Sequence, residues 1–149
     1  MRLTKQTNYA LRMLMYCADN QGSLSRVPEI AKAYAVSELF LFKILQPLVE
    51  AGFIQTVRGR NGGVKLAKPA AEISVADVVK VTEDNFYMAE CFDTVVEVHC
   101  PLIDFCSLNT ALQKALNAFF DVLSTVSLAD LQKQTMQKRF KINDHRTIN

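Results

Sequence analysis

Residues 35–66 read AVSELFLFKILQPLVEAGFIQTVRGRNGGVKL, and this stretch decides the fold. Ser37 is a good N-cap, and the run from Glu38 to Ala51 reads as a helix that stops at Gly52. Pro47 removes one backbone hydrogen bond inside that helix, so a kink rather than a break is expected. Two β-rich runs follow, Phe53–Val57 and Val64–Leu66, separated by Arg58-Gly59-Arg60-Asn61-Gly62-Gly63. An Asn-Gly turn between two such runs is a strong hairpin signal. Upstream, a helix is expected from near Ser25 to about Tyr34, with Pro28 in its first turn, where the missing N–H does no harm. The tight connection Ala35-Val36-Ser37 joins the two helices into the shape that lays the second one in a DNA major groove.

Working outward, residues Thr4 to Asn20 carry Ala10, Leu11, Met13, Leu14, Cys17 and Ala18 at helical spacing, and Asn20-Gln21-Gly22 ends the run. Cys17 falls on the apolar face and reads as a buried structural thiol. The helix after Ser37 is apolar on more than one face, through Leu39, Phe40, Leu41, Phe42, Ile44 and Leu45. Some of these side chains are expected to pack on the first two helices, and a thymine methyl contact is one use for another. The candidate DNA-binding residues are Ser37, Glu38 and Lys43 on the helix, with Arg58, Gly59, Arg60 and Asn61 on the hairpin turn. Held on a narrow ribbon tip, the arginines can reach phosphates or a narrow minor groove. Taken alone they read equally well as solvated loop charges; directly after a helix-turn-helix the DNA reading is favoured.

Downstream of Lys68-Pro69 a short helix is expected, with Ser74 as N-cap and Val75, Val78 and Val79 at core spacing. A long helix from Ser107 or Leu108 to about Thr125 carries the apolar stripe Leu108, Leu112, Ala115, Leu116, Phe119, Val122, Leu123 and Val126. That stripe is wide for so short a chain, and a partner helix from a second copy is the expected cover. Ser127 should cap a last short helix through Leu128 and Leu131, before a polar tail expected to be mobile. The fold class is therefore mainly α with a small β-hairpin: a winged helix-turn-helix plus a long dimerisation helix. Three segments are expected: a DNA-binding domain at 1–70, a loop and dimerisation helix at 71–131, and the tail at 132–149.

The 149 residues are 50% hydrophobic, enough to bury a core without staples. Residues 1–68 hold ten Lys/Arg against four Asp/Glu, whereas residues 69–149 hold seven against eleven. The basic first half suggests a polyanion partner. No apolar run approaches the ~20 residues of a membrane span, and none follows Arg2 and Lys5 as a signal peptide would. A cytoplasmic chain with reduced thiols is expected, without a membrane or small-molecule partner. An enzyme is not expected, because no C-x-x-C pair is present and His99 and His145 offer no nucleophile–base–orienter set.

Cys91, Cys100 and Cys106 are spaced C-x8-C-x5-C within sixteen residues that carry no helical or strand period. Clustered thiols in a reducing compartment are usually arranged around a metal. The spacing is too wide for the C-x2-C knuckles of structural zinc and suits a larger guest, an iron–sulfur cluster held by thiolates. Three cysteines leave one position for a weaker ligand; His99 directly precedes Cys100, which disfavours it on the same iron. Glu90, Asp93, Glu97 and Asp104 surround the thiols with negative charge that repels an anionic cluster, the mark of a poised rather than permanent site.

The opening Leu3-Thr4, the Asn8-Tyr9-Ala10-Leu11-Arg12 segment, the Val57–Gly63 wing and the three late cysteines together resemble the Rrf-two family of bacterial iron–sulfur transcription regulators. The resemblance runs from residue 1 to about residue 131. It implies a homodimer that binds double-stranded operator DNA and carries a [4Fe–4S] cluster on Cys91, Cys100 and Cys106, convertible to [2Fe–2S] or lost. Family members that control cluster assembly use a histidine three residues after the last cysteine, where this chain has Asn109. They also use a glutamate on the recognition helix, where this chain has Phe42. Nitric-oxide-sensing members often have an aspartate in the opening helix, where this chain has Asn8. These departures, with the runs Leu39–Leu45 and Met88–Phe92, favour the family's iron-responsive branch, a repressor of iron-uptake genes. A nitric-oxide or redox sensor and a zinc-stabilised regulator are the alternatives.

Overall fold

The computed structural model describes residues 2–93, 100–102 and 105–132. Helix α1 spans Lys5–Asp19, and the Thr4 hydroxyl caps it by accepting from the Thr7 N–H at 3.3 Å. Helix α2 spans Val27–Tyr34, and Ala35 turns the chain in the left-handed region (φ 51°). Helix α3 spans Glu38–Glu50, with the Ser37 hydroxyl accepting from the Phe40 N–H at 3.2 Å. It runs unbroken through Pro47 and ends at Gly52, whose φ of 70° suits a residue without Cβ.

Strands β1 (Ile54–Val57) and β2 (Gly63–Leu66) pair antiparallel, with Ile54 opposite Leu66 and Val57 opposite Gly63. The hairpin is docked rather than free. Ser25 donates its N–H to the Val64 carbonyl at 2.9 Å and accepts the Val64 N–H at 2.8 Å. Because Ser25 is spent on this pairing, α2 begins two residues later than the sequence suggests, and Arg26 takes the N-cap place. The close approach also explains Gly63, while Gly62 answers to the hairpin turn itself. A Cβ on Gly63 would stand 2.6 Å from the Ser25 carbonyl oxygen, and one on Gly62 would collide with the Val57 carbonyl oxygen.

Helix α4 spans Val75–Thr82 behind a capping box in which Ser74 and Asp77 satisfy each other's backbone N–H. Helix α5 spans Ser107–Ser124. Beyond it the chain folds back: Val75 donates to the Val126 carbonyl at 2.9 Å, and Leu128 donates to the Ile73 carbonyl at 3.0 Å. Ser127 and Asp130 form the cap of a final helical segment at 128–132. One apolar core unites Met13 and Leu14 of α1, Ile30 of α2, Leu41, Ile44 and Leu48 of α3, Ile54 of β1, Ile73, Val78 of α4 and Leu128. No helix among the described residues is long and apolar enough to cross a membrane.

Replacing Gly63 by Ala should cost ~1–3 kcal/mol, the usual range for overpacking, because the Ser25 backbone must move aside. Urea denaturation measures it, and an unchanged midpoint would mean that the hairpin does not lean on Ser25.

Candidate nucleic-acid interface and thiol site

Helix α3 divides cleanly into two faces. Leu41, Ile44, Leu45 and Leu48 are buried, at the i, i+3, i+4, i+7 spacing of one stripe. Phe40 lies edge-on to Tyr9 of α1, with ring centroids 5.6 Å apart. The outward face carries Leu39, Phe42, Lys43 and Gln46, all exposed. Ser37 and Glu38 are exposed at the helix start, and Arg58, Gly59, Arg60 and Asn61 are exposed on the hairpin turn. Arg26 joins them, since it lines with Phe42, Thr56, Val57 and Arg60 a groove between α2, α3 and the hairpin. Its only sequence signal is a basic residue just ahead of α2.

Two of the three late thiols, Cys91 and Cys106, are linked at the start of α5. Cys91 sits in a 3-10 turn, Glu90–Phe92, and Cys106 is the N-cap of α5. Asn109 joins the two: its backbone N–H donates to Cys106 Sγ at 3.4 Å and its side-chain amide donates to Cys91 Sγ at 3.1 Å. Cys100 is half-buried. His99, Glu97 and Asp104 lie outside the described residues. Among the described residues no three His, Cys, Asp or Glu side chains converge closely enough to hold a metal ion. The donor chemistry nevertheless fits an iron–sulfur cluster. Thiols are its ordinary ligands, two of the three are already drawn together, and the first N–H groups of an 18-residue helix favour an anionic guest.

Helix α5 has no fully buried residue. Its inner side meets the body through Phe120, which lies edge-on to Phe86 at 4.7 Å and beneath the Lys80 ammonium at 5.2 Å. Leu108 and Val122 stay exposed on it, as do Leu102 and Phe105 just before it.

The chain matches the Rrf2 family, described as iron-dependent transcriptional regulators, over residues 3–134. It belongs to that family. It is 67% identical over 140 residues to Protein aau3 of Rhizobium meliloti strain 1021, covering 94% of this chain and 90% of that one. It is 41% identical over 147 residues to the HTH-type transcriptional regulator NsrR of Geobacillus kaustophilus, covering 98% and 99%. The solved structure of T. potens IscR superimposes with a TM-score of 0.72 over 91% of this chain and 88% of that one; at 23% identity it bears on the fold alone.

Two features of this Rrf2 regulator left little trace in its sequence. At the end of α4, the Glu83 carboxylate accepts from the Thr4 N–H at 2.7 Å and from the hydroxyls of Thr4 at 3.1 Å and Thr7 at 2.5 Å. It thereby places negative charge at the N-terminus of α1, where the helix dipole favours it. Asn109 is the second, and its signal was the three-residue spacing from Cys106 that places a helix N3 residue over its cap.

Cys17 is separate from this site. It is 3% exposed, and burial pushes its thiol up from 9.0 to about 11. The buried Ser25 hydroxyl alongside offsets this only in part, through a contact too loose to count as a hydrogen bond. A folded value above the unfolded one gives a contribution intact below pH 9.0 and lost as pH rises toward about 11. Wild-type protein should therefore lose about 2 kcal/mol more than Cys17→Ala across that window. Urea midpoints of both proteins measured from pH 8 to 11 test this, and parallel curves would place the ionisation elsewhere.

Proposed function

We propose that this regulator is an iron-responsive repressor of iron-uptake genes, binding operator DNA as a homodimer when an iron–sulfur cluster is held by Cys91, Cys100 and Cys106. The observation that carries this reading is the bridge by Asn109 between Cys91 and Cys106 at the first turn of α5. The same helix offers the exposed Leu108 and Val122, each 63% accessible, to a second copy. Thiol chemistry and dimer geometry thus meet on one element. The runs Leu39–Leu45 and Met88–Phe92 look most like the family's iron-responsive regulator RirA, which supports iron as the signal.

A cluster with three thiolates and one weaker ligand supplies an exchangeable iron, because that corner is held less firmly. Cys91 and Cys106, drawn to one centre with Cys100, would fix the loop against α5. A fixed α5 pair would in turn set two copies of α3 about one DNA turn apart, ~34 Å. Ser37, Glu38 and Lys43 would then meet the major groove, while Arg58, Gly59, Arg60 and Asn61 would meet the backbone or the minor groove beside it. Release of the thiols frees the loop, and operator affinity falls.

Anaerobically purified protein should be brown, with iron and acid-labile sulfide near ~4 per chain, and should release operator DNA when iron is chelated. Cys100→Ala protein lacking the cluster should bind the operator far more weakly than loaded wild type; equal affinity would sink the switch. Release by nitric oxide without any response to chelation selects the nitric-oxide alternative, and a colourless zinc protein selects the zinc one. On the wing, Arg58→Ala should weaken binding and reduce the salt slope by ~1, as one phosphate contact is lost. An unchanged slope and affinity would remove Arg58 from the interface.

A further inference from the structure

The outward face of α3 poses a problem that phosphate contacts leave unsolved. Leu39 is 75% exposed and Phe42 is 52% exposed, large apolar side chains left open to solvent on the helix surface. Phe40, between them in sequence, by contrast packs edge-on against Tyr9. Leu39, Phe42 and Lys43 share one face, being three and four residues apart. The surroundings are cationic: Lys43 is exposed on the same face, and Arg26 and Arg60 line the groove that Phe42 enters.

That setting selects the occupant. A second copy of this chain docking here would bring Arg26, Lys43, Arg58 and Arg60 against their own counterparts, and like charges in apposition are costly. A polyanion suits the charge but must also offer an apolar spot for two large hydrocarbon side chains. In the major groove of DNA only one such group projects from the base edges, the C5 methyl of thymine. The N-terminal half of a recognition helix is the part that reaches those edges, and Leu39 and Phe42 lie in the first turn and a half of α3.

We infer that Leu39 and Phe42 are specificity-determining residues that read thymine methyls, so that the operator carries thymines at fixed positions in each half-site. This rests on the DNA-binding reading above and adds to it the base that is read and the side chains that read it. Lys43 and the wing arginines supply affinity without sequence information; the two apolar side chains supply discrimination.

The test separates this inference from the reading beneath it. Duplexes are enriched from a random-sequence pool with the cluster-loaded protein under anaerobic conditions, and each thymine of the enriched site is replaced in turn by uracil, which removes only the methyl. Wild type should lose about 4-fold or more in affinity at one or two thymines per half-site, the worth of one buried methyl. Phe42→Ala and Leu39→Ala, both at exposed positions that leave the core intact, should each bind the thymine duplex more weakly. Each should also be indifferent to uracil at its own position. Wild-type binding unaffected by uracil everywhere would overturn the inference while leaving the DNA-binding reading in place. So would a uracil penalty that persists in both variants, because the methyl would then act through DNA stiffness or another residue. Failure to enrich any duplex would remove the DNA-binding reading itself.

Discussion

Everything in this fold depends on α1 burying one face against two partners at once. Ala10, Met13 and Leu14 are fully buried, and α1 packs on α3 on one side and on α4 on the other. Its N-terminus is held by a carboxylate from the far end of α4: Glu83 accepts from Thr4 and Thr7, and the Thr82 hydroxyl donates to that of Thr7 at 2.8 Å. A charged acceptor over a helix N-terminus is among the stronger surface interactions, and here it is made by residues almost eighty positions apart. Immediately after Glu83 the chain enters the cysteine loop. A continuous set of contacts thus runs from the residue that leads into that loop, Glu83, through α1 and across the Tyr9–Phe40 contact to α3.

What could be read from the sequence follows from how local each signal is. Ser37, Ser74 and Ser127 cap their helices because a hydroxyl three residues before a free N–H needs no help from the rest of the chain. The hairpin was legible for the same reason, since its turn glycines answer to the two strands beside them. Cys17 could be placed because its position on an apolar stripe fixes its burial. The start of α2 was misplaced by two residues because Ser25 is recruited by Val64, some forty residues away, and no local propensity reports such a pairing. Glu83 and Arg26 were missed likewise: each matters through a partner supplied by a distant element. Asn109 was noticed in the sequence for a histidine it lacks, whereas its place in the fold comes from the two sulfurs it touches.

The two halves of the molecule use exposure in different ways. On α3 the exposed apolar side chains stand among arginines and lysines, so the surface attracts anions and repels its own copies. On α5 the exposed Leu108 and Val122 have no such cationic fence, because Lys114 is the helix's one basic residue. Were two copies to meet, charge as much as hydrophobicity would favour α5 over α3 as the shared face. A chain that exposed both faces without that asymmetry would pair in more than one way.

Cys106 starts α5 through a compromise in capping. Oxygen side chains hold the N-cap of most helices because they accept an N–H well; sulfur is a weaker acceptor. The first turn of α5 is fastened by such a sulfur at 3.4 Å, and the residue that donates to it also holds Cys91. A serine at position 106 would make a firmer helix start and an inert one. With cysteine, the first turn rests on a thiol, and Asn109 touches both that thiol and Cys91. The helix that carries the apolar face is therefore anchored at its first turn by contacts to two thiols, side chains capable of redox or metal chemistry.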